Sequence, residues 1–216
     1  CVFAAQEVEY LGERIFNDCR GPTPSKLEIL RAFPTPTTRK DLDQFIGIAG
    51  QYRGLIKDFS AKIQPLTDLK NKSDRKRPLV WLRAHEEAYL LMKEELTKPP
   101  VVALPDVSKP FIVRTDASGQ GMGAVLLQEV DGQRRIVEYA SKQFTPTQKR
   151  YPTIEQEATA VFWAIQRWKH YLLGGGFTLE TDHRPLQWLT TKIDTDGKLG
   201  RMALALERFQ PYLVVH

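Results

Sequence analysis

The chain has 216 residues, of which 42% are apolar, 26% charged and 10% aromatic, and its formal net charge is +5 at pH 7. This length allows one large or two small domains with true cores, and the composition excludes a disordered or collagen-like chain. No stretch approaches the roughly 18 apolar residues of a membrane span, two cysteines are too few for a disulfide framework, and the basic balance fits a polyanionic partner.

The first hundred residues have a mainly helical pattern with short breaks. A short extended segment is predicted at 8–12, and Ser25 and Thr38 are predicted N-caps. A further helix is predicted over about 84–96. Apolar residues at intervals of three and four predict the amphipathic helices between them: Leu27, Leu30, Phe33, Leu42, Phe45, Ile46, Tyr52, Leu55, Ile56 and Phe59.

From residue 101 the pattern changes to strands. A β-branched run at 110–116 and two further runs at 123–128 and 135–139 predict three antiparallel strands. The last two are separated by Asp131-Gly132, and Asp-Gly is a strong hairpin signal.

A long helix is predicted next. Thr153 and Gln156 have the spacing of a capping box at its start, and the glycine run 174–176 marks its end. The rest of the chain predicts a fourth strand, two short helices and the start of a fifth strand, at 177–182, 185–190, 199–209 and 212–215.

Three acidic residues stand where sites commonly form. Asp116 and Asp182 each end a predicted strand, and Glu157 lies in the first turn of the long helix beside its buried stripe. Side chains at strand ends of an α/β sheet converge in a crevice. Carboxylates that cluster there repel each other, and binding of a hard dication such as Mg²⁺ relieves this repulsion. The ordinary alternative is that the aspartates form turns or caps and that the glutamate complements the helix dipole.

Several ordered motifs resemble those of a known family. Thr115-Asp116-Ala117-Ser118, the segment 121–126, the segment 151–157 and Thr181-Asp182-His183 resemble the ribonuclease H domain of gypsy-type LTR retrotransposon reverse transcriptases. Residues 8–12 resemble the primer-grip end of the palm, and residues 45–66 resemble the thumb.

The resemblance implies an α/β fold in which a ribonuclease H-like mixed sheet with flanking helices follows a small helical thumb-like domain. It divides the chain into a palm tail at 1–22, a helical thumb or connection at 23–100 and a ribonuclease H-like domain at 105–216. It also implies partners: an RNA–DNA hybrid and the rest of the Pol polyprotein, namely palm, fingers and integrase. The expected location is a cytoplasmic virus-like particle or the nucleus, without secretion.

By the same resemblance, Asp116, Glu157 and Asp182 match the family's catalytic, metal-binding carboxylates. Glu157 is preferred over Glu155, which points away from the helical stripe. The implied reaction is hydrolysis of the RNA strand of RNA–DNA hybrids with two Mg²⁺ ions, or Mn²⁺ instead. One ion would activate the attacking water and the other would stabilise the leaving oxygen.

Two departures from the family pattern lead to further expectations. The polymerase aspartates would lie before Cys1, so we expect no DNA polymerisation by this chain. The fourth nuclease carboxylate would lie beyond His216, so we expect the isolated chain to be a weak or inactive nuclease although its parent is active. The alternative function is a non-catalytic nucleic-acid-binding or scaffolding remnant of a transposon polyprotein.

Basic residues suggest a second, weaker hypothesis. The densest positive segment is 70–77, and phosphate contact there would release counterions from a bound duplex, although such loops are commonly just solvated. The candidate nucleic-acid-binding residues are Arg75, Lys76, Arg77, Lys26, Arg39 and Lys40. His183 is interpreted as a helix cap, and the tryptophans Trp163, Trp168 and Trp188 as core residues rather than stacking platforms.

Overall fold

The computed structural model describes residues 5–72, 78–98, 101–182, 197–209 and 212–215. The chain divides into two compact units, Cys1–Leu104 and Pro105–His216. Segments 1–22 and 23–100, to which the sequence assigned separate roles, fall in the same unit. Among the described residues, no helix has the length and apolar character needed to cross a bilayer.

The first unit contains a four-stranded antiparallel sheet made of β1 (Glu7–Tyr10), β2 (Glu13–Phe16), β3 (Cys19–Pro22) and β4 (Val102–Ala103). The sequence predicted only an extended segment at 8–12, and its end was wrong. Leu11 and Gly12 have φ values of 51° and 82°, so they form the turn of a two-residue hairpin loop. Asn17 and Asp18 form the second such loop, with φ values of 45° and 57°.

The rest of this unit is helical, as predicted. Its helices are α1 (Pro24–Ala32), α2 (Arg39–Gln51), α3 (Phe59–Lys62), α4 (Gln64–Lys72) and α5 (Arg83–Thr97). Their buried stripes include Leu30, Leu42, Phe45, Leu66, Met92 and Leu96, and Tyr52 and Leu55, which directly follow α2, are buried as well.

One of the two predicted N-caps of this unit is confirmed. Thr38 caps α2, and Asp41 completes a reciprocal capping box. The prediction for Ser25 was wrong: Thr23 caps α1, its Oγ1 accepting from the Lys26 N–H at 3.4 Å. Pro24 occupies the first helical turn, where its missing N–H costs nothing, so the cap falls one residue before it.

The second unit is built on a five-stranded mixed sheet, which confirms the predicted fold class. Its strands are β5 (Phe111–Ala117), β6 (Gly121–Val130), β7 (Gln133–Gln143), β8 (Phe177–Thr181) and β9 (Tyr212–Val215), in the order β7-β6-β5-β8-β9. The first three are antiparallel, as predicted, and β8 runs parallel to both β5 and β9. Asp131 and Gly132 form the predicted hairpin turn with φ values of 53° and 72°.

Helix α6 (Thr153–Arg167) packs on one face of this sheet, followed by α7 (Lys169–Leu172) and, farther along the chain, α8 (Gly197–Leu206). The core between them and the sheet includes Val113, Leu126, Val161, Ile165, Trp168, Leu172, Leu179, Leu206 and Phe209. Trp168 is thus a core residue, as predicted, and Trp163 packs against the core partly buried. Trp188 and the predicted helix at 185–190 lie outside the described residues.

Two details of the long helix were predicted wrongly. Pro152 is the N-cap, and Thr153 is already helical, so no capping box forms. The Gln156 amide instead donates to the carbonyls of Gln148 and Lys149, which tethers the preceding turn. The helix also ends before the glycine run: Trp168, with φ −100° and ψ 20°, separates α6 from α7.

Candidate metal centre

Three structural elements bring one carboxylate each to the same point. Asp116 is the second-to-last residue of strand β5, Asp182 directly follows β8, and Glu157 lies near the start of α6. One oxygen atom from each residue lies within 4.8 Å of the other two. The structure therefore brings together all three acidic residues that the sequence singled out.

The local sequence explains this convergence. The parallel ladder of β5 and β8 pairs Thr115 with Thr181, so Asp116 and Asp182 follow side by side at the ends of the two strands. Helix α6 packs on one face of the sheet through its apolar stripe, which includes Ala158 and Val161. Glu157 directly precedes Ala158 at the side of that stripe, so its carboxylate is directed to the edge where the strands end.

The three carboxylates differ in their exposure to solvent. Asp116 and Asp182 are exposed, whereas Glu157 is only 5% exposed. Burial, together with the nearby charges of Asp182 and Asp116, raises the pKa of Glu157 to about 7. A hydrogen bond from the backbone N–H of Ala117 acts in the opposite direction and lowers the pKa of this carboxyl.

The donor set fits a hard divalent cation. Within the described part of the chain, the buried Oε2 atom of Glu157 has no hydrogen-bond partner. A buried polar atom without a partner is costly, and carboxylate oxygens are the ligands that Mg²⁺ prefers. Bound cations would relieve both the unpartnered oxygen and the mutual repulsion of the three acids.

The neighbouring glutamate has a different environment. The side chain of Glu155 pairs with Lys198 on α8, with 3.2 Å between Nζ and Oε2. Glu155 therefore has a partner outside the acidic cluster, which supports the choice of Glu157 made from the sequence.

A charged group that was not predicted from the sequence lies beside the three acids. Arg114 and Glu180 stand two residues before Asp116 and Asp182 on their strands, and they form an ion pair with 2.7 Å between Nη2 and Oε2. Arg134, from β7, also pairs with Glu180 at 2.9 Å. The period-two alternation of a strand was the available signal, because it places residues two apart on the same face.

The predicted nucleic-acid-binding residues fall into two groups. Arg75, Lys76 and Arg77 lie outside the described residues, as does His183. Lys26 and Lys40 are exposed in the first turns of α1 and α2. Arg39 lies beside Asp43, at 4.0 Å between Nε and Oδ2. Nucleic-acid binding by these residues stays a prediction.

The second unit also matches a known domain family. Residues 106–209 match the family described as the RNase H-like domain found in reverse transcriptase. The mixed sheet, the helix packed on it and the acidic cluster at the strand ends agree with that match. This part of the chain therefore belongs to the RNase H-like domains of reverse transcriptases.

The relatives of the whole chain are Pol polyproteins of transposons and retroviruses. The Pol polyprotein of the Drosophila melanogaster transposon 412 is 34% identical over 209 residues, which cover 97% of this chain and 17% of that protein. The gypsy transposon of the same species gives 32% over 209 residues, covering 92% and 20%. The koala retrovirus Gag-Pol polyprotein gives 32% over 193 residues, covering 86% and 11%. The chain thus spans a fifth or less of the length of these relatives.

Solved structures agree with the fold. The foamy viral protease-reverse transcriptase dRH in complex with double-stranded DNA has a TM-score of 0.83 at 20% identity, covering 97% of this chain and 38% of that one. The same viral protein in complex with an RNA/DNA hybrid has a TM-score of 0.79 at 20% identity, covering 97% and 29%.

Proposed function

We propose that the second unit hydrolyses the RNA strand of RNA–DNA hybrids, using divalent cations held by Asp116, Glu157 and Asp182. The observation that carries the proposal is the convergence of these carboxylates within 4.8 Å. The match of residues 106–209 to reverse-transcriptase RNase H-like domains supports the reaction class. The hybrid present in one solved viral relative supports the substrate.

Each acidic residue has a distinct part in this proposal. Asp116 and Asp182 are exposed, so they face the side from which a phosphodiester can approach. Glu157 is buried behind them and would anchor a cation from the protein side. With its pKa at about 7, Glu157 has to lose a proton before it can act as a full ligand at neutral pH.

The cations would supply the chemistry that these side chains lack. When bound, two Mg²⁺ ions would lower the pKa of the attacking water and stabilise the leaving 3′-oxygen. The chain therefore needs no nucleophilic side chain, and its own task is to hold the three carboxylates in a fixed geometry. The remainder of a Pol polyprotein would present the hybrid to this unit.

The test is a cleavage assay on an RNA–DNA hybrid with labelled RNA, in Mg²⁺ and in Mn²⁺. It is run at high chain concentration because the isolated chain is expected to be a weak or inactive nuclease, and the variants are compared with whatever metal-dependent cleavage the wild-type chain gives. The chain carrying Asp116→Asn, Glu157→Gln or Asp182→Asn is expected to lose metal-dependent cleavage, because each change replaces a charged ligand with a neutral amide of similar shape. Glu155→Gln is the matched control and should retain it. Cleavage that persists in the three variants would contradict the assignment.

The alternative function, a non-catalytic nucleic-acid-binding remnant, is separated by metal binding. Millimolar Mg²⁺ should raise the unfolding temperature of the wild-type chain, because a ligand that binds only the folded state stabilises it. An unfolding temperature that does not change when Mg²⁺ is added, together with retained binding of the hybrid, would favour the non-catalytic remnant.

A further inference from the structure

Beside the candidate metal centre lies a group of three paired charges, Arg114, Glu180 and Arg134, here called the Arg-Glu-Arg network. Arg114 donates from Nε and Nη2 to Oε2 of Glu180 at 2.9 and 2.7 Å. Arg134 donates from Nη1 to the same oxygen at 3.2 Å, and its Nη2 lies 2.9 Å from Oε1. The side chain of Glu180 is only 16% exposed, whereas those of the two arginines are 52% and 48% exposed. The glutamate is therefore fixed from two sides.

The network is in register with the metal centre. Arg114 and Glu180 are direct neighbours across the parallel ladder of β5 and β8. Asp116 and Asp182 lie two residues farther along the same two strands. Because side chains alternate between the faces of a strand, both pairs project from one face, in rows about 6.6 Å apart. A cavity of about 520 Å³ is lined by both pairs together with Arg134.

Asp182 needs such support because it lies beyond the last paired row of β8, whereas Asp116 on the neighbouring strand still pairs with Gly123 of β6. Thr115 and Thr181 form the last paired row between β5 and β8 that the structure describes. Apolar residues fix the register of the two strands from the opposite face, where Val113 and Leu179 are fully buried. On the face that carries the aspartates, the Arg114–Glu180 ion pair links the two strands two residues before Asp116 and Asp182.

We propose that Arg114 is a positioning residue for the metal centre, acting through Glu180 and with the help of Arg134. The network holds the ends of β5 and β8 together, so that Asp116 and Asp182 are presented side by side although their charges repel. This inference rests on the proposed metal-dependent function. Arg114 bonds to Glu180 rather than to a reacting atom, so its part in the reaction is indirect.

The sign of one mutational effect separates positioning from simple electrostatics. Arg114 carries a positive charge close to a cation site, so on Coulombic grounds its removal should tighten metal binding. If Arg114 instead positions the aspartates, its removal should weaken metal binding. Removal of the Glu180 charge weakens metal binding whether the network positions the aspartates or acts only through its charges. The arginine variants therefore distinguish positioning from simple electrostatics.

The experiment measures the dissociation constant of Mn²⁺ for the full 216-residue chain, by calorimetry or electron paramagnetic resonance at pH 8. Arg114→Met and Glu180→Gln are each expected to weaken binding about 10-fold, the lower end of the usual effect of residues that orient metal ligands. The double variant should be about as weak as either single variant, because both remove the same link. Arg114→Lys, which keeps the charge but loses the forked hydrogen bonds, should lie between wild type and Arg114→Met.

The control is Glu138→Gln. Glu138 also has a side chain that is 16% exposed, and it pairs with Arg167 at 2.5 Å. Its removal should leave the Mn²⁺ dissociation constant unchanged. Unfolding midpoints in urea, measured without metal, identify any variant that does not fold.

Tighter or unchanged binding by Arg114→Met would overturn the inference. If that variant does not fold, Arg114→Lys decides: binding weakened about threefold supports positioning, and binding equal to wild type refutes it. If the wild-type chain binds no Mn²⁺, the proposed function itself fails and this inference falls with it. That result is distinguishable from the others because the wild-type titration alone gives it.

Discussion

Glu155 and Glu157 lie two residues apart on α6, yet they have opposite electrostatic environments. Glu155 pairs with the Lys198 ammonium at 3.2 Å, whereas Glu157 is buried with its oxygens close to two further carboxylates. The same residue type on the same helix thus provides a structural ion pair at one position and a candidate metal ligand two residues later, because side chains two apart on a helix point in different directions. This difference makes the two residues a matched pair for mutation.

Glu157→Gln should stabilise the metal-free chain at pH 8. The change removes a buried charge that lies among like charges, so we expect a gain on the order of 1 to 3 kcal/mol in the free energy of unfolding. Glu155→Gln removes a partly exposed ion pair and should cost less than about 1 kcal/mol. Urea denaturation with excess chelator measures both. A loss of stability in Glu157→Gln comparable to that in Glu155→Gln would show that Glu157 is not under repulsion.

The stability of the metal-free chain should fall as the pH rises from about 4.5 to about 7. The pKa of Glu157 is raised from 4.5 to about 7 in the folded state, so over this window the folded chain holds a proton that the unfolded chain has released. This stabilising contribution to the free energy of unfolding is fully present below pH 4.5 and is lost as the pH rises past about 7. Its total is at most about 3 kcal/mol.

The measurement for this pH dependence is a series of urea unfolding curves between pH 4.5 and 8, compared with the same series for Glu157→Gln. The difference between the two proteins should vary with pH in this window and level off above it. A difference that stays constant across the series would contradict the raised pKa.

Metal binding near neutral pH should release protons. Glu157 is about half protonated at pH 7, and a cation ligand has to be deprotonated, so about half a proton should leave per chain on saturation. Calorimetric titrations in two buffers with different ionisation enthalpies measure this number. The release should vanish by pH 9, where the carboxyl is already ionised, and its persistence there would point to another group.

Gly121→Ala should destabilise the second unit, because the strand pair β6 and β7 leaves no room for a side chain at this position. An added Cβ would lie 2.7 Å from the carbonyl oxygen of Lys142 and 3.1 Å from Cα of Gln143, both backbone atoms that cannot move independently. We expect a loss of about 1 to 3 kcal/mol in the free energy of unfolding.

The control for that substitution is Gly119→Ala in the preceding turn, where nothing lies within 4 Å of the added Cβ. Thermal unfolding of both variants in the same buffer makes the comparison. Equal unfolding temperatures would mean that the strands accommodate the extra methyl group.

Much of the second unit could be predicted from local patterns. The Asp131-Gly132 signal fixed a hairpin, and the three- and four-residue spacing of Ala158, Val161 and Ile165 fixed the core face of α6. The two aspartates were predicted to converge because side chains at the strand ends of an α/β sheet meet in a crevice, although the parallel pairing of β5 and β8 was not predicted. For the hairpin and the helix the information lies within a few residues of the feature.

The errors arose where the determining contact is distant in the chain. The strand β4 has only two residues, and its pairing of Ala103 with Cys19 joins segments more than eighty residues apart, so no local pattern predicts it. Likewise, Arg134 on β7 and Glu180 on β8 pair although β6 and β5 lie between their strands in the sheet, so the contact depends on the assembled sheet. The contact of Arg134 with Glu180 therefore could not be predicted from single strands, whereas strand alternation could have placed Arg114 and Glu180 on the face of the aspartates.

The central claim is that Asp116, Glu157 and Asp182 together bind divalent cations. Calorimetric titration of Mg²⁺ into the metal-free chain at pH 8 tests it most directly, with the three isosteric amide variants and Glu155→Gln measured alongside. The wild type and Glu155→Gln are expected to bind Mg²⁺ saturably, and each of the other three variants is expected to lose this binding. Wild-type binding that survives all three substitutions, or is absent from the start, would contradict it.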